Sequence, residues 1–454
     1  MSNAFMRMAR SALVGLTLAA AFFASPAARA QGSIRDAEIE TVIRGYWDPI
    51  LRAANIDPAE TELVIINDNS INAFVTNSRS MFIHTGLIMA AQNPSEIKGV
   101  IAHETGHMAG AHVSQSRAAM GRAMRPALLS IGLGILAIAA GAPDAGAALI
   151  AGSQQFAYAD FVQFTQAQES KADQAAVTLM EASGQSGQGL LDFASRQFRY
   201  NEMRSASRIP PWMRTHPLWS DRIQALRQRV EAGTHRGVVD SPADMEQLRL
   251  MQGKLFGYVE RPSRTFQKYP DTDTSAAARY ARSIAAMQAS DFGRADKEAE
   301  SLTRDFPTNP YYHELVGEIL LNSGRVTESV PHHRRALELK PRNALLQVNL
   351  ARALAAVKTD ASTDEAITLL NAATQIEPDN ATAWYELSLA YDRKGDEGMA
   401  RLASAELRFA VGDFPGARSF AERAKERLAR ETPSWRRAAD IATIAETRVR
   451  QGRG

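Results

Sequence analysis

Gly99-Val-Ile-Ala-His103-Glu104-Thr-Gly-His107-Met108 is the stretch of this 454-residue chain that decides its fold and its chemistry. His103 and His107 are four residues apart, so on one helix their side chains lie one above the other and can bind the same metal ion. Glu104 then lies beside that ion, where a carboxylate can take a proton from an activated water. The pattern predicts a helix that carries a zinc peptidase centre.

The residues before this motif support the helix. Asn93-Pro94-Ser95-Glu96 supplies an N-cap asparagine, a proline at the first helical position and a glutamate at the third. Ile97, Val100 and Ile101 add an apolar stripe that can be buried. Five-letter motifs of this kind occur by chance in many helices, and it is this context that favours metal binding here.

A catalytic zinc site needs a third protein ligand, and because the chain has no cysteine, that ligand must be His, Asp or Glu. Segment 164–177 is predicted to form a helix in which Glu169 and Asp173 share one face. The small Ala172 lets that face approach another helix closely. Glu169 is the predicted ligand, and Asp173 is predicted to accept the remaining N–H of a ligand histidine. A solvated acidic face is the alternative for such a pair.

These residues resemble the motifs of the M48 family of zinc metallopeptidases. Besides the two helices, the family motifs match Thr215-His216-Pro217 and Asn72-Ala73-Phe74. The resemblance implies a zincin-like α+β metallopeptidase domain with a small sheet. The chain departs from the family where a glycine pair is expected, since it has Thr76-Asn77-Ser78-Arg79 there. Because asparagine tolerates the positive φ of a turn, a hairpin is still expected.

His216 has three candidate roles. The residues alone favour a structural side chain beside Pro217, whereas the resemblance implies a position near the metal. There it would donate to the oxyanion of the transition state, or bind the metal reversibly as a fourth ligand. Arg222 is a further candidate for orienting a peptide carbonyl or the oxyanion. The residues predicted to carry catalysis are Glu104, His216 and Asp173, and the predicted ligands of one zinc ion per chain are His103, His107 and Glu169.

The fold class predicted for the whole chain is mainly α. An N-terminal helix over 34–54 should pack on the catalytic domain. Glu62–Ile66 and Met81–His84 are predicted to be two short strands on either side of a turn at Asn72. The edge of such a sheet can pair with an extended substrate backbone, which predicts broad specificity and a preference for unfolded chains.

Between the two metal-binding helices, segment 114–161 has a different character. Arginines precede the apolar run 127–140, which is too short and rich in glycine to span a membrane as one helix. Two interpretations stay open: a helical hairpin that covers the active site as a lid, or a segment whose tips contact a membrane surface or an insoluble client.

Polar turn residues around 261–274 predict a boundary, followed by a repeat. Pro307, Pro341 and Pro378 are spaced by 34 and 37 residues, and a period of about 34 is typical of tetratricopeptide repeats. The sequence therefore predicts a metallopeptidase domain over 31–262, a linker over 263–275 and an all-α repeat solenoid over 276–454. A solenoid of this kind binds extended peptides or partner helices, and a structural cap on the protease is the alternative.

The first thirty residues predict export. Arg7 and Arg10 precede the apolar run 12–23, and Ala28-Arg29-Ala30 is an A-x-A cleavage site, so residues 1–30 are predicted to be a signal peptide cleaved before Gln31. Its loss removes three arginines and no acidic residue, which changes the formal charge from +2 to −1. A near-neutral chain lacks the basic footprint of a nucleic-acid-binding protein. With the family resemblance, the predicted location is the periplasm.

These observations predict a periplasmic zinc endopeptidase that degrades misfolded or stalled envelope proteins. The resemblance further implies clients among outer-membrane β-barrel proteins and contact with their insertion machinery through the repeats. The alternative is a chaperone or scaffold for outer-membrane protein assembly with a latent or vestigial peptidase. Two histidines and one carboxylate could also hold Fe(II), but Glu104 favours zinc peptidase chemistry.

Overall fold

The computed structural model describes residues 32–76, 79–110, 166–202 and 220–451. These residues fall into two units, one comprising Ile34–Ala285 and the other including Ala286–Gly454. The predicted fold class is confirmed, since a mainly helical α+β unit with a small sheet is followed by an all-α repeat unit.

The first unit is built from helices around a small sheet. Its helices are α1 (Ala37–Ala53), α2 (Thr85–Ala90), α3 (Pro94–Ala109), α4 (residues 166–182), α5 (Gln188–Glu202), α6 (Ser220–Glu231), α7 (Pro242–Val259), α8 (Pro262–Lys268) and α9 (Ala276–Gln288). A 3₁₀ turn covers Pro58–Glu60. Helix α8 occupies half of the segment expected as a linker, and the division between the units falls inside α9.

The sheet has the order β1-β2-β4-β3, with β1 at Ser33–Ile34, β2 at Glu62–Ile66, β3 at Ala73–Val75 and β4 at Ser80–His84. Strands β2 and β4 pair in parallel, and β3 pairs with β4 antiparallel. The predicted strands at 62–66 and 81–84 are present. Strand β3 was not predicted, because its three residues, Ala73-Phe74-Val75, are too short for alternation to be recognised.

The antiparallel pair β3–β4 is closed by a tight turn. The amide of Thr76 donates to the Ser80 carbonyl over 3.0 Å, and the amide of Arg79 donates to the Thr76 carbonyl over 3.2 Å. The hairpin expected from the sequence is therefore present, and a positive φ of 59° falls at Arg79. Asn77, which the sequence favoured for that conformation, lies outside the described residues.

One face of the sheet forms the core with α1 and α3. Ala73, Val75, Met81 and Ile83 point inward and are buried. The alternate residues Phe74 and Phe82 stack on the opposite face with ring centroids 4.8 Å apart. This period-2 alternation is what a sheet covered on one side requires.

Helix α3 begins where its sequence predicts. The side chain of Asn93 accepts a hydrogen bond from the Glu96 amide over 3.0 Å, and Pro94 is the first helical residue. Glu96 is 1% exposed and is bound by the Arg196 guanidinium of α5 and by the Gln92 amide. The N-terminus of α3 is thereby fixed to α5.

Two further contacts fix α3 along its length. The indole N–H of Trp47 on α1 donates to the Thr105 hydroxyl over 3.0 Å, and that hydroxyl donates to the Ile101 carbonyl over 2.7 Å. Gly99 faces α5 so closely that a Cβ atom there would lie 2.7 Å from the backbone nitrogen of Leu190. Helix α3 therefore lies packed between α1 and α5.

The second unit is a series of helices. They are α10 (Phe292–Asp305), α11 (Pro310–Asn322), α12 (Val326–Leu339), α13 (Ala344–Val357), α14 (Asp360–Ile376), α15 (Ala381–Arg393), α16 (Glu397–Ala410), α17 (Phe414–Lys425) and α18 (Pro433–Gln451). Each packs on its neighbours in sequence through small buried residues such as Ala366, Ala373 and Ala417. Close approach of successive helices is what stacked repeats need.

The repeat starts share one local signal. Asn309, Asn343 and Asn380 each stand two residues after one of the three periodic prolines, and each caps the following helix with its side chain.

Across the part of the chain that is described, no helix is long and apolar enough to cross a membrane.

Candidate metal centre

Helix α3 presents His103 and His107 at the same point. The two Nε2 atoms lie 3.1 Å apart, and the side chains are 0% and 8% exposed. The one-turn spacing of the motif therefore produces the juxtaposition that the helical period dictates.

Helix α4 brings a carboxylate to these two rings. Glu169, which is 2% exposed, has one oxygen 3.4 Å from His103 Nε2 and the other 3.2 Å from His107 Nε2. The predicted third ligand thus lies with the other two.

The approach of α4 to α3 depends on a glycine. A Cβ atom at Gly106 would lie 2.9 Å from the Ala172 carbonyl oxygen and 3.1 Å from the Ala175 Cβ. The first of these is closer than Cβ atoms come to a carbonyl oxygen in folded proteins. Gly106, inside the motif, and Ala172, which is fully buried, together let Glu169 reach the two histidines.

Asp173 lies one turn beyond Glu169 and binds the far side of the first histidine. Its Oδ1 atom is 2.9 Å from His103 Nδ1. Burial alone would raise the pKa of Asp173, but the Arg222 guanidinium and His103 outweigh it and lower the pKa to about 2. The carboxylate is therefore ionised and accepts the Nδ1–H proton, so Nε2 is the atom of this ring that a bound metal ion would take.

Arg222 has a different position from the one expected. Its Nε and Nη2 atoms donate to Asp173 over 2.5 and 2.9 Å, and Nη1 lies 2.7 Å from Glu169 Oε2. The residue is 5% exposed. Among the described residues its guanidinium binds these two carboxylates, whereas the sequence had suggested a peptide carbonyl or the oxyanion as its partner. The sequence placed the arginine near the centre but could not show which partner it takes.

Glu104 lies next to His103 on α3 and is 1% exposed. It stands between the two histidines in the motif and is buried with them. The structure thus keeps the candidate base buried on the helix that carries two of the candidate ligands.

The cluster fits a metal ion. One ligand atom from each of His103, His107 and Glu169 can be chosen so that all lie within 4.8 Å of one another. Tetrahedral zinc with bonds of about 2.0–2.2 Å has ligand atoms about 3.3–3.5 Å apart. The two Nε2 atoms are 3.1 Å apart, and each lies 3.2 or 3.4 Å from a different oxygen of Glu169, so these separations are of similar size.

Electrostatics also favour a cation here. Burial lowers the pKa of His103, but the hydrogen bonds and charges of Asp173 and Glu169 outweigh burial and raise the pKa to about 9. In the absence of metal the imidazole therefore carries a proton that a bound cation would replace.

Two predicted parts of the site cannot be placed. His216 and segment 114–161 lie outside the described residues, so their roles stay predictions.

Residues 33–230 match peptidase family M48. The chain carries an M48 peptidase domain. All the residues of the cluster, from His103 to Arg222, fall inside the matched M48 segment. Residues 362–395 match a tetratricopeptide repeat, so the M48 domain is followed by the repeat that the proline spacing predicted.

Relatives with protease names are similar to most or part of the chain. The chain is 27% identical over 379 residues to the beta-barrel assembly-enhancing protease of Escherichia coli K12, covering 82% of this chain and 76% of the relative. It is 25% identical over 383 residues to a putative beta-barrel assembly-enhancing protease of Vibrio cholerae, covering 83% and 78%. The metalloprotease LoiP of Escherichia coli K12 is 26% identical over 183 residues, covering 39% and 66%.

Two solved structures are similar to parts of the chain. The tetratricopeptide protein YrrB is 20% identical, with a TM-score of 0.31, covering 39% of this chain and 91% of YrrB. Yeast Tom70 is 13% identical, with a TM-score of 0.31, covering 68% and 64%.

Proposed function

We propose that the chain is a periplasmic zinc-dependent endopeptidase that degrades misfolded or stalled envelope proteins and acts in outer-membrane β-barrel quality control. The observation that carries the proposal is the buried cluster of His103, His107 and Glu169 beside Glu104. The family match and the protease names of the relatives support a metallopeptidase.

In the proposed mechanism, a zinc ion held by His103, His107 and Glu169 would supply the Lewis acidity that makes a water reactive toward a peptide carbonyl. Glu104 takes the proton of the attacking water and delivers it to the nitrogen of the leaving amine. His103, His107 and Glu169 hold the ion. Asp173 keeps the His103 ring in the tautomer whose Nε2 lone pair is available, and Arg222 holds both carboxylates in place.

The substrate is proposed to lie along β3. This strand is the last in the sheet order on that side, and it packs against α3, which carries both histidines. An extended peptide added to such an edge is held by backbone hydrogen bonds, which do not depend on its sequence. This arrangement supports action on unfolded chains.

His216 is proposed to act at the same centre, either as an oxyanion donor or as a reversible fourth ligand. The two roles predict opposite results. His216→Ala would slow cleavage if the side chain stabilises the oxyanion, and it would speed cleavage if the side chain closes the site.

The proposed location and partners follow from the first thirty residues and the relatives. Signal cleavage before Gln31 would release the chain into the periplasm, and the repeats would recruit unfolded envelope proteins or the β-barrel assembly machinery. N-terminal sequencing of the protein recovered from a periplasmic fraction tests the location, with Gln31 as the expected first residue.

Cleavage of unfolded casein by the chain from Gln31, with metal content measured, tests the main proposal. Wild type should cleave and contain about one zinc per chain, and Glu104→Gln should keep the zinc and lose cleavage. Zinc-loaded wild type that leaves casein intact would favour the second candidate, a chaperone or scaffold with a latent peptidase. The repeat unit supports that candidate, since Tyr385 and Leu389 are each 49% exposed on one helix.

A further inference from the structure

A cavity borders a different face of α3 from the one that carries the metal centre. It has a volume of about 300 Å³ and is lined by residues of α1, α3, α7 and the turn between α4 and α5. Lys98 lines it from α3 and precedes His103 by five residues. At about 100° per residue, the two side chains are about 140° apart around the helix. A molecule in this cavity would not compete for the metal ligands.

Two residues that line the cavity each carry a buried polar atom without a hydrogen-bond partner among the described residues. The Tyr46 hydroxyl, on a residue 5% exposed, makes no hydrogen bond with any residue that the structure describes. The same holds for the side-chain oxygen of Gln185, whose amide nitrogen donates to Ser183. Buried polar atoms are normally bonded, so this donor and this acceptor would each gain a partner if a molecule in the cavity reached them.

The hydroxyl is a donor at any ordinary pH. Burial, together with the negative charges of Asp244 and Asp240, raises the pKa of Tyr46 well above its usual range. The complementary group on a bound molecule is therefore an acceptor such as a carbonyl oxygen.

The charges at the cavity favour a cation. Lys98 Nζ lies 3.0 Å from Asp240 Oδ1, and Asp240 also accepts the Ser95 amide over 2.8 Å. Asp244 Oδ2 is 3.8 Å from the same ammonium, beyond hydrogen-bond distance, and its side chain is 36% exposed. Two carboxylates face one ammonium, which leaves one negative charge in excess.

We propose that this cavity binds a lysine or arginine side chain of an extended polypeptide, with the cationic group at Asp244. The polypeptide carbonyl accepts from Tyr46, and a backbone N–H donates to Gln185. The cavity has room for one long side chain and not for a folded element. Its use as a secondary substrate site rests on the proposed peptidase function, whereas the binding itself does not.

The binding test uses the chain from Gln31 carrying Glu104→Gln, so that no probe is cleaved. The probe is acetyl-Gly-Lys-Gly-amide, and the matched neutral probe has norleucine in place of lysine; both are titrated by ligand-observed NMR. The lysine peptide should bind at least tenfold more tightly. Asp244→Asn should weaken it about tenfold, and Tyr46→Phe should weaken it several-fold.

Glu246→Gln is the matched control, because it removes one negative charge from the same helix at an exposed pair with Arg249. It should change binding less than twofold. Melting temperatures identify misfolding, and Tyr46→Phe should melt no lower than the parent, because its hydroxyl has no hydrogen-bond partner among the described residues. Equal binding of both peptides, no binding of either, or unchanged binding in Asp244→Asn would overturn the proposal. Tighter binding of spermidine than of the lysine peptide would assign the cavity to free polyamines instead.

The two proposals fail differently. If wild type cleaves casein and Asp244→Asn cleaves it with unchanged KM, the cavity is not a secondary substrate site, and the peptidase proposal stands. If wild type does not cleave casein while the lysine peptide still binds, the peptidase proposal fails and the binding site stands.

Discussion

His103 Nδ1 and Asp173 Oδ1 lie 2.9 Å apart, so the ring that offers Nε2 to the cluster is held from behind by an ionised carboxylate. Asp173→Asn removes the charge but keeps the shape. We expect metal affinity to fall by about 10–100-fold, the usual effect of losing such a partner. Competition with a chelator measures it. Asp192→Asn, on an exposed i,i+4 pair with Gln188, is the control and should bind metal like wild type.

Arg222 neutralises two buried carboxylates, and its loss should be costly. In Arg222→Met, Glu169 and Asp173 stay buried without their cation, which in comparable cases costs about 3–5 kcal/mol. Urea unfolding of the metal-free protein should show this loss. Bound metal should restore part of it, because the ion supplies positive charge at Glu169.

The control for Arg222 is Arg229→Met, on the same helix, where the arginine donates to the Thr178 hydroxyl at the exposed surface. Its free energy of unfolding should change by less than about 0.5 kcal/mol. If both variants unfolded at the same urea concentration, the role assigned to Arg222, which is to neutralise Glu169 and Asp173, would be wrong.

Gly106 sets the distance between α3 and α4. Gly106→Ala places a methyl group 2.9 Å from the Ala172 carbonyl oxygen, which forces the helices apart and moves Glu169 away from the histidines. We expect zinc binding to weaken at least tenfold, measured by chelator competition. Gly45→Ala on α1 is the matched change, because its methyl group meets nothing within 4 Å. That variant should bind zinc normally and gain about 0.5–1 kcal/mol of stability.

His333 makes the repeat unit sensitive to acid. It is 3% exposed and packs against Gly317, and burial, together with the charge of Arg352, lowers its pKa from 6.5 to about 4. As pH falls from about 6.5 to 4, the unfolded chain takes up a proton at this residue while the folded chain does not. Stability is therefore lost across that window, by at most about 3 kcal/mol.

Urea unfolding at pH 7, 5.5 and 4.5 measures the effect of His333. His333→Leu should lose less stability than wild type between pH 7 and 4.5. The exposed His235→Gln should follow wild type. A His333→Leu curve parallel to wild type at all three pH values would exclude His333 as the source.

Local signals made most of the fold predictable. The Asn93 cap, the motif spacing and the periodic prolines each act within a few residues, and the structure has α3 and the repeat helices where they indicate. The grouping of Glu169 with the histidines was also predictable. A catalytic zinc site needs a third protein ligand, and in a chain without cysteine that ligand must be His, Asp or Glu. Strand β3 was missed, since three residues carry too little periodicity.

The partner of Arg222 could not be predicted for a different reason. An arginine near a metal centre can face a substrate or a carboxylate, and only the tertiary packing of α6 against α4 decides between them. The bond from Trp47 to Thr105 is similar, because nothing in the motif shows that its third residue accepts from a helix 58 positions away. Long-range contacts of this kind leave no periodic mark.

The repeat caps and the metal centre differ in how far along the chain their contacts reach, and this separates them in folding. The Asn343 and Asn380 caps bond residues three positions away. The centre joins His103 to Asp173 across 70 positions and Asp173 to Arg222 across 49. Contacts over such separations form late, because loop closure must come first. When the whole chain refolds, the repeats can therefore take shape while the residues of the metal centre are still apart.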